Sequence, residues 1–200
     1  MEKIILVKPD LSYADEIIKY KEESLKEKDK IAKYNDSIVE AEDKLDLYEK
    51  EIYDSNFSLL SKSLSKELIE DTRMNLLACD EYETIGDYQN RIANRLFMLY
   101  ENSIELDEVR AKMAFKLHSL AVELFNDISR AVKTGEKELY PIGIKKYQIL
   151  KTYYKEVKRE HFSRSENIPA RLNTGYLDII NYYKRIADHT YNIIEYVMKI

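Results

Sequence analysis

The stretch Glu83–Asp87 (ETIGD), followed by Ile92, decides the fold because it has a second copy later in the chain. The second copy is Lys184–Asp188 (KRIAD), followed by Ile193, and it lies 101 residues after the first. The same offset aligns two further pairs, Leu76 with Leu177 and Tyr82 with Tyr183. A repeat of this kind indicates that one supersecondary unit was duplicated, and an acidic residue ends the motif in each unit.

The composition favours long amphipathic helices. The 200-residue chain has only 4 Gly and 3 Pro, whereas 34% of its residues are charged and 44% are hydrophobic. Apolar periodicity and capping residues predict six helices, at about 12–33, 36–60, 65–102, 105–133, 138–163 and 169–199. Residues 4–7 are predicted to be a short extended piece before Lys8-Pro9.

The predicted helix breaks have local physical causes. Asn35-Asp36 and Ser61–Ser65 supply side chains that compete with helical backbone bonds and cap the next helix. At Thr134-Gly135 the glycine can adopt the left-handed backbone conformation that ends a helix. Because the connections are short, neighbouring helices should be antiparallel, which predicts an all-α fold of two pseudo-repeated three-helix bundles. The two halves span about 12–102 and 105–200.

Charge and cysteine content exclude several classes of function. A net charge of −5 argues against a nucleic-acid partner, since neutralising phosphates needs a clustered basic face. The lone Cys79 cannot form an intrachain disulfide and is interpreted as a structural thiol in a reducing compartment. No run approaches the roughly 20 apolar residues that span a bilayer, so we expect a cytoplasmic protein without direct membrane insertion.

The third predicted helix has two opposite faces. Its core stripe is predicted to consist of Met74, Ala78, Ile85, Tyr88, Ile92, Leu96 and Leu99. The opposite line, spaced by four and three residues, consists of Leu76, Asp80, Glu83, Asp87, Asn90 and Asn94. Carboxylates three or four residues apart repel by about 0.2–0.5 kcal/mol per pair unless they are solvated, paired or bound to a cation.

A metal site on this line is one interpretation, and a solvated acidic face is the other. Asp80, Glu83 and Asp87, with Asp188 at the repeated position, are the candidate metal ligands. Oxygen ligands favour Mg²⁺, Ca²⁺ or Mn²⁺, and iron or zinc carboxylate clusters stay open. In the second copy Lys184 replaces Glu83, which predicts a weakened site or an ion pair between Lys184 and Asp188. No organic cofactor is predicted.

The two motifs resemble the signature helices of PhoU proteins. The frame from Asp80 to Asp87 resembles the first signature, and Arg185–Ile193 (RIADHTYNI) resembles the second more closely. The acidic helix Glu40–Glu49 is similar to the one that precedes the first signature, and the stretch from Glu160 into the last helix is similar to PhoU-like domains attached to bacterial sodium/phosphate cotransporters. The resemblance covers about 35–200. Residues 1–34 supply a first helix but match poorly.

The resemblance implies a function and a location. It implies two three-helix bundles, a cytoplasmic protein at the inner face of the membrane through a partner, and regulation of phosphate uptake without catalysis. The partner would be a phosphate transporter or its cytoplasmic subunit. Because members of this subtype are joined to a membrane part, the chain is either a freestanding version or a domain of a longer protein. Some members hold metal clusters on two E-x-x-x-D motifs, of which Glu83 and Asp87 match the first and Asp188 alone survives in the second.

Two alternatives stay open at this stage. One is a metal-binding helical bundle, and the other is a plain scaffold or oligomerisation module, so a homo-oligomer is also open. His189 is expected to pack or to hydrogen-bond across a helix seam, and His161 to lie near the negative end of its helix. A basic run from Lys145 to Arg159 has three possible roles. It forms ion pairs with the acidic line across the bundle, it binds a partner, or it is solvated.

Overall fold

The computed structural model describes residues 11–61, 65–164, 166 and 168–198. They form five α-helices and no strand. The helices are α1 (Leu11–Leu60), α2 (Lys66–Glu101), α3 (Glu108–Thr134), α4 (Leu139–Ser163) and α5 (Ala170–Met198). The all-α prediction is confirmed. The predicted extended piece at residues 4–7 lies outside the described residues.

The number of helices differs by one from the prediction, because the expected break at Asn35-Asp36 does not occur. Exposed Asp36 costs a helix only a fraction of a kcal/mol relative to alanine, about 0.7 at most. The Ser37 hydroxyl donates to the Lys33 carbonyl oxygen at 2.8 Å and therefore stays within α1 instead of capping a new helix. The repeat supplies a second reason. Position 34 corresponds to Gly135, whose left-handed backbone (φ 75°) ends α3, but position 34 holds tyrosine.

The other predicted breaks are confirmed. Ser65 caps α2, and its hydroxyl accepts a hydrogen bond from the Leu68 N–H at 3.3 Å. Asp107 caps α3 by accepting from the Arg110 N–H at 2.9 Å. Gly135 closes α3 by donating its N–H to the Ala131 carbonyl oxygen at 2.8 Å. These local bonds fix where the chain leaves or enters a helix at the first three of the four reversals.

The second half of the chain, α3 to α5, forms a three-helix bundle in which each helix contacts the other two. Its interior is apolar, with side chains such as Leu117, Leu124, Leu150, Ile180 and Ile194 all at 0% exposure. The first half contains α1 and α2, and among the described residues the helix contacts of α1 are with α2. The extensive contact between α2 and α5 joins the halves. In α2 the predicted core residues Ala78, Ile85, Ile92 and Leu99 are buried, whereas Leu96 is 43% exposed.

The duplication is visible in the hydrogen bonds between helices. The Tyr53 hydroxyl on α1 donates to Asp80 Oδ1 on α2 at 2.6 Å. The Tyr154 hydroxyl on α4 donates to Asn181 Oδ1 on α5 at 2.5 Å. Both partners of the second bond lie 101 residues after those of the first. The offset read from the sequence therefore relates the α1–α2 pair to the α4–α5 pair in space.

Candidate functional site

The acidic line on α2 lies against α1 and is not fully solvated. Asp80, Glu83 and Asp87 are all half-buried. Asp80 accepts the hydrogen bond from Tyr53, and this bond is the main cause that raises the pKa of Tyr53 to about 12. Asp87 forms an ion pair with Arg91 one turn later, with 2.8 Å between Oδ2 and the guanidinium nitrogen. Neither alternative from the sequence, a metal site or a solvated face, included this packing.

Two further carboxylates, both from α1, lie beside this line, and neither was predicted as part of the site. Burial, followed by the charges of Asp87 and Glu49, raises the pKa of Glu83. Burial, followed by the charges of Asp80 and Asp46, raises the pKa of Glu49. We call these five residues, Asp46, Glu49, Asp80, Glu83 and Asp87, the acidic cluster. The acidic helix Glu40–Glu49 was the signal, but helix spacing alone did not show which of its residues would face α2.

Cys79 lies beside the acidic cluster. Its thiol is half-buried, and burial together with the charges of Glu49 and Asp80 raises its pKa. A raised pKa keeps the thiol protonated and poorly nucleophilic. Cys79 is less buried than the predicted structural thiol, and its surroundings do not favour reactivity.

The corresponding positions in the second half have lost their negative charge. In place of Asp46, Glu49, Asp80 and Glu83 stand Tyr147, Leu150, Asn181 and Lys184. Only Asp188 remains, and both of its oxygens have partners. Oδ1 accepts from the Tyr147 hydroxyl at 2.9 Å, and Oδ2 forms the predicted ion pair with Lys184. Burial and the bond to Asp188 raise the pKa of Tyr147. The charge of Asp188 is thus balanced within the protein, in contrast to that of Glu83.

A second polar group lies in the seam between α2 and α5. Glu81 accepts hydrogen bonds from His189 Nδ1 at 2.6 Å, from Asn192 Nδ2 at 3.1 Å, and from the Tyr196 hydroxyl at 3.2 Å. The His189 ring also packs on Tyr88, with 5.5 Å between ring centroids. The expectation that His189 hydrogen-bonds across a seam is confirmed. Glu81 was missed because it lies beside the acidic line, on the face of α2 that meets α5.

A third polar group, centred on two buried side chains, lies at one end of the second bundle. Arg110 on α3 is 7% exposed and His161 on α4 is 2% exposed. Arg110 Nε donates to His161 Nδ1 at 3.1 Å, and His161 Nε2 lies 2.6 Å from Asn173 Oδ1 on α5. Since Nδ1 accepts, Nε2 carries the ring proton and donates to Asn173. His161 does lie in the last turn of its helix, as predicted, but its partners are side chains of α3 and α5.

The comparison with known families follows the same division into halves. A family model described as the PhoU domain matches residues 6–96 and again residues 115–197. The chain belongs to the PhoU domain family. The first PhoU match contains the acidic cluster and ends within α2, and the second contains Asp188 and ends within α5. The first match begins at residue 6, so it includes the N-terminal segment that carried no recognisable signature.

A solved structure shows the same PhoU fold. The crystal structure of the phosphate transport system regulatory protein PhoU from Streptococcus pneumoniae superposes with a TM-score of 0.72. The two proteins are 22% identical, and the similarity covers 88% of this chain and 81% of the other. No curated protein matches the chain. Within the described residues, no helix is both long enough and apolar enough to cross a membrane.

The predicted metal ligands of this PhoU chain do not all meet. Asp80, Glu83 and Asp87 share one face of α2, whereas Asp188 on α5 is engaged by Tyr147 and Lys184. In the part of the chain that the structure describes, no group of three or more His, Cys, Asp or Glu side chains has the geometry to hold a metal ion. Glu83 and Asp87, with water as the remaining ligands, are the pair whose chemistry fits a hard divalent cation. The assignment of the four ligands stays a prediction.

Proposed function

We propose that this chain regulates phosphate transport without catalysis, by docking on a phosphate transporter or its cytoplasmic subunit at the inner face of the membrane. The observation that carries the proposal is the double PhoU match, which spans both halves of the chain. The Streptococcus pneumoniae protein of the same fold is named as a regulator of a phosphate transport system. The sequence likeness to domains of sodium/phosphate cotransporters makes such a transporter one candidate partner.

The surface best suited to docking is an apolar cavity lined by side chains of α1, α2, α3 and α5. Its volume is about 350 Å³. Its walls include Ile92 and Leu96 of α2 and Ala121, Val122 and Phe125 of α3. Leu96 and Val122 are 43% and 41% exposed and border the same depression, so together they present apolar surface to solvent. A partner side chain entering here would be desolvated at the point where two halves of the regulator meet.

Leu96→Asp is expected to weaken binding of the purified transporter subunit at least about tenfold, because a carboxylate would lose its hydration inside an apolar cavity. Calorimetry or a surface-binding assay measures the affinity. Asn94→Asp is the matched control, since it adds the same charge to an exposed position of the same helix outside the cavity. Binding that is absent in the wild type, or lost equally in both variants, would sink the docking proposal.

Metal binding at the acidic cluster is the second candidate function. The observation that favours it is that like charges, in addition to burial, raise the pKa values of Glu83 and Glu49. A divalent cation between Glu83 and Asp87 would relieve this repulsion, and Asp87 would have to leave Arg91 to bind it. When bound, the cation would supply positive charge between α1 and α2 and hold the two helices together.

Glu83→Gln tests this candidate through stability. Because the pKa of Glu83 is raised above its ordinary value of 4.5, the folded state binds the proton more tightly than the unfolded state. The contribution of Glu83 to stability is therefore fully present below pH 4.5. It is lost as the pH rises from 4.5 through the raised pKa of the folded state. In a chelator at pH 7 the variant should exceed the wild type by a few tenths of a kcal/mol, about the size of one carboxylate pair, and the difference should vanish in acid.

Added Mg²⁺ or Mn²⁺ should reverse this order. The wild type is expected to gain thermal stability in proportion to the logarithm of the metal concentration, whereas Glu83→Gln should gain little. Glu105→Gln, which removes one exposed carboxylate from the loop after α2, is the control and should respond as the wild type does. Equal metal responses of the wild type and Glu83→Gln would rule out the cluster as a metal site.

A further inference from the structure

The two halves of the protein differ in charge, because α1 carries an acidic segment and α4 is basic. Residues 36–60 of α1 contain eight Asp and Glu residues but only two Lys. Helix α4 contains six Lys and Arg residues but only two Glu. Within the described residues the structure does not bring these helices together, because the helix contacts of α1 are with α2 and those of α4 are with α3 and α5. The basic run on α4 therefore does not contact the acidic residues of α1 within one molecule.

The acidic side of α1 forms one exposed face of the helix. Five carboxylates at spacings of three, four and eight residues lie on the side of α1 that faces away from α2. We call them the acidic stripe: Asp36, Glu40, Asp43, Glu51 and Asp54. None of them is in an ion pair within the described part of the chain. Leu47, in the middle of the stripe, is 61% exposed. The stripe is thus a helical face with an apolar centre and a net negative charge, since only the exposed Lys44 and Lys50 lie between the first and last of its five carboxylates.

A groove whose lining has more basic than acidic side chains runs between α3 and α4. Its volume is about 410 Å³. Its lining includes the apolar side chains Leu120, Ile149 and Tyr153, the two lysines Lys116 and Lys145, and a single carboxylate, that of Glu156. We call it the basic groove. Ile149 is 48% exposed, so the groove presents uncovered apolar surface.

The cations of the basic groove are available to a partner. Lys145 has no ion pair within the described residues. Lys116 lies over the Tyr153 ring, with 4.3 Å from Nζ to the ring centroid. Phe115, next to Lys116, is 70% exposed. An apolar groove bordered by lysines is the complement of a helix whose exposed face is acidic around one leucine.

We propose that the basic groove of one copy of this chain receives the acidic stripe of a second copy. Leu47 would enter the groove against Ile149, and the carboxylates that flank it would face Lys116 and Lys145. The charges argue for a second copy because both complementary surfaces belong to the same chain and cannot meet within one molecule. The two surfaces differ, so the contact is heterologous, and each copy can use both its stripe and its groove.

The first test is the mass in solution by light scattering. At low salt the mass should rise with concentration above the 23.7 kDa of the single chain. Raising the salt to about 0.5 M should return it toward the single chain, because the screening length falls to a few ångströms. A single chain at every concentration in low salt overturns the proposal. So does an assembly that salt does not weaken.

Charge exchange gives the decisive test. Lys116→Glu with Lys145→Glu should weaken self-association at least about tenfold, and Asp43→Lys with Glu51→Lys, one turn on either side of Leu47, should do the same. An equimolar mixture of the two double variants should associate again, because each stripe then has an opposite groove in the other variant. The control is Lys66→Glu with Lys137→Glu, which makes the same change of net charge at exposed positions outside the groove and should leave association unchanged.

Two outcomes assign these surfaces differently. If the mixture stays dissociated, the contact between stripe and groove is wrong. If the chain is monomeric but binds a transporter subunit in a way that Lys116→Glu with Lys145→Glu abolishes, the groove belongs to that partner and the proposal is overturned. Leu96→Asp lies outside the groove, so loss of docking and loss of self-association can be told apart.

Discussion

Replacing Arg110 with leucine is expected to lower the free energy of unfolding by about 3 kcal/mol. The guanidinium is buried and makes three contacts that leucine cannot make. Its Nε donates to His161 Nδ1 at 3.1 Å, a terminal nitrogen donates to the Arg164 carbonyl oxygen at 3.0 Å, and the group forms an ion pair with Asp107. Without Arg110, the His161 nitrogen and the Arg164 oxygen become unpaired acceptors where α3, α4 and α5 meet.

Urea unfolding followed by circular dichroism measures the loss, with Arg73→Leu as the control. The Arg73 side chain is 70% exposed and lies 4.0 Å from Glu70, so its removal should cost less than about 1 kcal/mol. A double-mutant cycle with His161→Leu isolates the contact between the two side chains, and we expect a coupling of about 1 kcal/mol or more. If Arg110→Leu costs the same in the presence and absence of His161, the side chains do not stabilise each other.

The sequence predicted the elements that depend on local chemistry. A left-handed glycine at 135 and a capping serine at 65 act within a few residues, so their effect is readable without the rest of the fold. The 101-residue offset also relates contacts between distant parts of the chain, because a duplicated unit repeats its contacts. The bonds Tyr53–Asp80 and Tyr154–Asn181 obey the same offset, although neither bond was predicted. The offset also exposed the lost charge at Lys184, which the structure pairs with Asp188.

The features that were missed depend on small energy differences or on distant partners. Continuing α1 through Asn35-Asp36 instead of breaking it there is a matter of about 1 kcal/mol, which tertiary context can decide either way. Asp46 and Glu49 were present in a recognised acidic helix, but their approach to Glu83 is set by how α1 rotates on α2. Such rotations follow from side-chain packing, which a single helix pattern does not specify.

Glu81 illustrates the second kind of omission. Its partners on α5 lie more than 100 residues away, so no local pattern linked them to it. The available signal was on α5 itself. His189, Asn192 and Tyr196 follow at spacings of three and four and place three polar side chains on one helix face. A polar face within an apolar helix requires a partner with acceptors, and one buried carboxylate could have been sought for it.

Glu81→Ala is expected to lower the free energy of unfolding by about 2 kcal/mol, because it leaves three half-buried donors without their acceptor. The Glu81 side chain is only 12% exposed and that of His189 only 22%. The effect should be uneven along the chain, since the contact between α2 and α5 is the main one that joins the halves. Amides of α1 and α2 should exchange with solvent at a lower free energy than those of α3 to α5.

Native-state hydrogen exchange tests this separation of the halves. Glu81→Gln keeps the shape of the side chain and one acceptor oxygen, so its loss of stability should lie between those of the wild type and Glu81→Ala. Glu105→Ala removes an exposed carboxylate outside the seam and should leave the exchange pattern unchanged. If Glu81→Ala lowers protection equally in both halves, the chain unfolds as one unit and Glu81 contributes only to global stability. If protection does not change at all, the three hydrogen bonds between Glu81 and α5 do not hold the halves together.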